Sequence, residues 1–164
     1  MQRLTVLLVL AGFGCGGAQR PGALTPQTPN DALNKFMDAV KAKDLDRMAD
    51  LWGSVRGPAS SYMDKNHLNR QLTTIQIYWN HKGYRIIDGP LPAQPLNPTF
   101  KDVPSADRLR DFRLELQRPS GCSQVIPITV VRTNGGGWLV FDVHLEAAGN
   151  PAARCQPAGS GTRQ

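Results

Sequence analysis

Cysteine is scarce in this 164-residue sequence, with three in all. Neither Cys122 nor Cys155 has a second cysteine or a histidine at a zinc-ligand spacing, which argues against a metal site built on them. Runs of like charge are also missing. Lysine and arginine number 19 against 13 acidic residues, a net charge of +6, yet no five basic residues stand together, and a nucleic-acid partner finds no support. No glycine-rich phosphate loop leads into a helix, since "NGGGW" at 134–138 reads as a hairpin turn. No nucleophile elbow offers an activated serine. The longest apolar run, Leu4–Phe13, falls short of the ~20 residues that a membrane-crossing helix needs.

That short run is itself informative. Arg3 precedes it, its length suits the ~7 to 15 residue core of a secretory signal, and small residues flanking Phe13 lead to Cys15, Gly16 and Gly17. The pattern resembles a bacterial lipoprotein signal, in which the cysteine is lipidated and becomes the new N-terminus. The resemblance implies a signal peptide over residues 1–14, lipidation at Cys15, attachment to the membrane through it, and a periplasm-facing place in the bacterial cell envelope. An ordinary signal cut after Ala18 would instead leave a secreted soluble protein. In an oxidising envelope Cys122 and Cys155 are expected to form a disulfide. Residues 15–29, "CGGAQRPGALTPQTP", read as a flexible tether, residues 156–164 as a disordered tail, and residues 30–155 as one domain.

Within the domain the helices come first. Leu33, Phe36, Met37 and Val40 fall at i, i+3, i+4 and i+7, with Asn30 or Asp31 as the N-cap. Asp44 caps a second, short helix bearing Leu45, Met48, Ala49 and Trp52, which Gly53 stops, and a third runs from about Asp64 to Trp79. "GSVRGPASS" between them is a loop. The pattern then changes to period two. "GYRIID" is a short strand, and "GPLPAQPLNPTFKDVP" has too many prolines for a strand or helix and reads as a long loop. "RDFRLELQR", "CSQVIPITVVRT" and "WLVFDVHLEA" are successive antiparallel strands, so the fold class is α+β.

The hairpins fix a register. A loop at Pro119–Gly121 sets Phe112 opposite Ile128 and Leu114 opposite Ile126. A two-residue turn at Asn134-Gly135 or Gly135-Gly136 aligns Ile126, Ile128 and Val130 with a face bearing Phe141, Val143 and Leu145, and turns Asp142 and His144 outward. The same register brings Cys122 level with residues near Asn150, from where a turn at Pro151 can deliver Cys155.

Three helices, the second reading "KAKDLDRMADLW", followed by a bent antiparallel sheet that ends in "GGGWLVFDVHLE", are similar to the NTF2-like superfamily, which includes ketosteroid-isomerase-like domains, over about Asn30 to Glu146. The resemblance implies N-terminal helices packed on a curved antiparallel sheet, an NTF2-like cone. Its members use the apolar pocket of the cone for isomerisation, dehydration or ligand binding, or leave it filled. Phe36, Trp52, Trp79, Phe112 and Phe141 are the candidates for the pocket lining, with simple core packing as the other reading of the tryptophans. Tyr62, Tyr78, Tyr84, His67 and His81 stand where they can reach the mouth. Asp142 and His144 are the catalytic candidates, an acid beside a potential base, but the register puts them on the wrong face. Asp88 reads as a turn residue.

The sequence therefore reads as a lipid-anchored module with a non-enzymatic binding or assembly role, needing no cofactor and no metal. Its partners would be the membrane, a small apolar ligand or another envelope protein, and a second copy through the sheet face. The alternative is an enzyme of the same fold that uses general acid–base chemistry on a small apolar substrate. The two differ in whether a buried ionisable residue lines the pocket.

Overall fold

A computed structural model describes residues 25–93 and 101–152 of the chain. Cys15, Cys155, the signal segment, most of the tether and the tail lie outside the described residues. Helix α1 spans Pro29–Ala42 and α2 spans Leu45–Leu51. The stripe of α1 is buried as its spacing requires, with Leu33, Phe36, Met37 and Val40 fully inaccessible. Its cap is neither Asn30 nor Asp31. Thr28 accepts a hydrogen bond from the Asp31 N–H at 3.1 Å, and Pro29 takes the first helical position, where its missing N–H costs nothing. Asp44 caps α2 as expected, accepting from the Arg47 N–H at 2.9 Å.

Trp52 leaves the helical path in an extended conformation and bridges to Val140. The expected loop after it contains a small hairpin, β1 (Gly53–Ser54) with β2 (Gly57–Pro58), and a short 3-10 turn over Ala59–Ser61. Helix α3, Lys65–Tyr78, is capped by Asp64, which accepts from the His67 N–H at 2.9 Å.

Four antiparallel strands follow in the order β3-β4-β5-β6. They are β3 (Gly83–Pro92), β4 (Leu109–Gln117), β5 (Ser123–Arg132) and β6 (Trp138–Val143). Helices α1 and α2 pack together, α1 lies on β5 and β6, and α2 and α3 are in contact. The fold is thus α+β, with N-terminal helices against an antiparallel sheet.

Two expectations about the strands need correction. Strand β3 continues through Asp88 and Gly89 as far as Pro92, with register shifts near Asp88. It lies at the end of the sheet order, where prolines are tolerated because one side of the strand needs no ladder hydrogen bonds. Asp88 is therefore a strand residue opposite Arg113, and its carboxylate accepts from the Gly89 N–H at 2.9 Å. The second correction concerns the turn before β6. Phe112 does face Ile128 and Leu114 does face Ile126, and Ile128 faces Val143. The β5–β6 connection, however, is longer than two residues, running from Thr133 to Gly137 with Gly136 in the left-handed region. A bulge in β6 then offsets the extra length, so that Thr129 faces Asp142 while Val130 faces Val140.

Candidate functional site

The helix–sheet junction holds a cavity of about 260 Å³ lined by Trp52, Gln71, Thr74, Ile75, Val143 and Leu145. Trp52 forms its wall because the end of α2 delivers the indole to the sheet, where Nε1 donates to the Phe141 carbonyl oxygen at 3.2 Å. Ile75 comes from the buried side of α3, and Val143 and Leu145 from the end of β6 and just beyond. The Gln71 carbonyl oxygen Oε1 is buried and without a hydrogen-bond partner. No lining side chain exchanges protons near neutral pH. The cavity can hold an apolar body and offer it one hydrogen-bond acceptor, and among the described residues that line it there is no acid or base.

The other proposed lining residues are placed differently. Phe36 and Trp79 meet edge to face, with ring centroids 6.2 Å apart and planes at 86°, and both are fully buried in the core. Phe141 is also fully buried. Phe112, nearly so, contributes to a separate cavity of about 240 Å³ beside Asp88, Leu91, Pro92, Asp111, Arg113 and Pro127. Of the five candidates, Trp52 belongs to the helix–sheet cavity. Gln71 and Thr74 were not expected there; both sit on the polar side of the α3 pattern, where periodicity alone assigns residues to solvent.

Asp142 and His144 required the largest correction. Asp142 lies opposite Thr129, on the face away from Ile128 and Val143 as the alternation predicts, yet it is only 3% exposed. Every residue of β6 is buried, so the strand is covered on this face as well as on the other, and both of its edges are occupied, one by β5 and one by the Trp52–Val140 bridge. The signal for this was in the sequence: four successive apolar residues, Trp138 to Phe141, mark a strand covered on both faces rather than one.

A polar row crosses this second face. Asp111 accepts from the Thr129 hydroxyl at 2.5 Å, Thr129 stands opposite Asp142, and His144 Nε2 lies 3.8 Å from Asp142 Oδ2, while His144 Nδ1 lies 3.2 Å from Glu146 Oε1. Asp142 Oδ2 has no hydrogen-bond partner. Burial pushes the carboxyl groups of Asp142 and Asp111 above the usual aspartate range, with His144 opposing the shift at both. Nothing in the sequence pairs Asp111 with Thr129 before the register is known.

Elsewhere His81 is buried, its Nδ1 2.8 Å from the Trp79 carbonyl oxygen and its Nε2 without a partner, and desolvation lowers its pKa. Tyr84 donates to Asn34 Oδ1 at 2.8 Å, and Tyr62 to the Ser54 hydroxyl at 3.1 Å. His67 is exposed at the start of α3, and Tyr78 is half-buried at its end. Among the described residues, no three His, Cys, Asp or Glu side chains converge so as to hold a metal ion, and no helix is long and apolar enough to cross a membrane. Cys122 is half-buried and has a bonding partner of some kind. The segment beside it is tied to the C-terminal stretch, with the Arg118 guanidinium donating to the Ala148 carbonyl oxygen and Gln124 donating to that of Ala147 at 2.9 Å.

No protein family and no curated protein matches the sequence. Among solved structures the chain is similar to a Campylobacter jejuni protein described as an NTF2-like transpeptidase. The TM-score is 0.43 and the identity 11%, over 69% of this chain and 97% of that one. At that score the likeness carries no weight for fold or activity.

Proposed function

We propose that the chain is an exported, lipid-anchored and non-enzymatic NTF2-like module of the bacterial envelope, which binds a small apolar ligand in the cavity between α3 and the end of β6. The observation that carries the reading is the lining of that cavity, with Trp52, Ile75, Val143 and Leu145 as apolar walls, Gln71 Oε1 as an acceptor, and no ionisable group among the described residues. A cavity of about 150 Å³ holds benzene, so one of about 260 Å³ suits a molecule of roughly two rings or a short branched chain. The anchor rests on the Leu4–Cys15 pattern, with residues 1–14 as signal peptide and residues 15–29 as tether to a domain over 30–155. A Cys122–Cys155 bridge belongs to the same reading, and the bonded state of the Cys122 sulfur supports it.

The competing reading, an acid–base enzyme, draws on Asp142, which is buried beside His144 with a raised pKa. Against it stands the register: Asp142 shares a face with Thr129, opposite to the one on which Val143 lines the cavity. N-phenyl-1-naphthylamine, an apolar fluorophore, tests the choice. Saturable binding that is independent of pH between 6 and 8 and about tenfold weaker in Thr74→Phe, which crowds the cavity, is expected. Failure to bind, or affinity unchanged by Thr74→Phe, would remove the cavity from the account. Binding lost in Asp142→Asn but kept in Thr74→Phe would favour the enzyme.

A further inference from the structure

Three turns converge at one end of the sheet. The Asn134 N–H donates to the Val55 carbonyl oxygen at 2.7 Å, which joins the β5–β6 turn to the β1–β2 turn. Arg108, just before β4, donates to Asn134 Oδ1 at 2.8 Å, and Arg56 pairs with Asp102 at 2.7 Å. Arg110 lies over the Trp138 ring, 5.8 Å from its centroid. A cavity of about 280 Å³ opens here, lined by Asp107, Arg108, Arg132, Thr133, Asn134 and Gly136. Arg56, Arg108, Arg110 and Arg132 thus gather, among the described residues, with two acids, Asp102, which Arg56 already engages, and Asp107. Four guanidinium groups against two carboxylates make this a local excess of positive charge.

The tether joins the domain at the same place. The Trp138 N–H donates to the Pro26 carbonyl oxygen at 2.7 Å, and Gly137 has no room for a Cβ because the Thr25 side chain fills the space. Between Cys15 and Thr25 the sequence is short and rich in glycine and proline. Ten residues of chain reach at most about 36 Å when fully extended. A lipid on Cys15 would therefore keep the β5–β6 turn near the bilayer surface at high effective concentration, where even weak headgroup contacts are occupied.

We propose that the cavity between Arg108 and Arg132 binds the phosphate of anionic phospholipid headgroups and seats this end of the domain on the membrane. The idea rests on the lipid-anchor reading for its geometry. Guanidinium groups suit phosphate because their planar donors can bind two oxygens at once, and the tether supplies the membrane as the surface that this end meets first.

The test uses the native, full-length processed protein with vesicles of phosphatidylcholine alone or with 30% phosphatidylglycerol. Flotation with neutral vesicles reports the anchor. Hydrogen exchange of residues 133–137 reports the docking, and is expected to slow several-fold on anionic vesicles only, to recover in 0.5 M salt, and to recover in Arg108→Gln/Arg132→Gln and in Arg132→Gln alone. Arg47→Gln/Arg70→Gln, which removes two exposed charges from α2 and α3, should behave as the wild type. Flotation on both vesicles with no difference in exchange would overturn the docking and leave the anchor standing. Salt-sensitive flotation on anionic vesicles alone would leave the docking standing and sink the anchor. Equal loss in the Arg47/Arg70 control, or the same slowing with inorganic phosphate and no vesicles, would also overturn the membrane assignment.

Discussion

Asp142 and His81 are two buried ionisable residues with opposite consequences for stability. Burial raises the pKa of Asp142 in the folded chain, so that the fold holds a proton which the unfolded chain, titrating near 3.8, has already released. Its contribution is complete below that unfolded value and is lost as pH rises through the folded pKa. For His81 desolvation lowers the folded pKa below 6.5. Its Nδ1 is taken by the Trp79 carbonyl and its Nε2 faces no acceptor, so the contribution is complete above 6.5 and declines as pH falls below it. Urea midpoints between pH 4 and 7.5 should therefore show Asp142→Asn gaining on the wild type as pH rises, and His81→Gln losing less than the wild type as pH falls below about 6.5. Parallel curves would contradict both placements. His144 opposes the shift at Asp142, so His144→Gln should move the carboxyl titration of Asp142, followed by nuclear magnetic resonance, further upward.

At the scale of the elements, α1 and α3 were legible from the period of their apolar residues, which are buried in both helices, although the cap of α1 proved to be Thr28. Phe36→Ala should cost about 3–5 kcal/mol in chemical denaturation, since the ring is fully buried against Trp79. The β4–β5 register was legible too, as a short turn leaves little freedom. The end of the sheet was not. A bulge at Phe141 has no local sequence signature, and the run Trp138 to Phe141 signals a strand covered on both faces without showing which distant segments cover it. Trp52, read as a helical residue, closes the far side of β6 through its bridge to Val140. Gly53 marks the same junction, because a Cβ there would meet the Gly57 carbonyl oxygen and the Leu139 side chain. Gly53→Ala should accordingly destabilise the chain by ~1–3 kcal/mol in the same measurement, whereas an equal midpoint would mean that the β1–β2 hairpin opens without cost.

For the whole molecule, the order of helices before strands was enough to give the α+β class. The site was only partly legible. Trp52 could be named from its place at the end of a stripe, but Gln71 and Thr74 line the cavity only because α3 and the end of β6 come together in the fold, and that placement is a tertiary property. The cavity, the tether and Cys15 are joined most directly by native mass spectrometry of the protein purified from its own envelope. The account predicts a chain beginning at Cys15, heavier by its acyl chains, part of it carrying a small apolar molecule that is absent from Thr74→Phe. An unacylated chain that begins beyond Cys15 and carries nothing would contradict it.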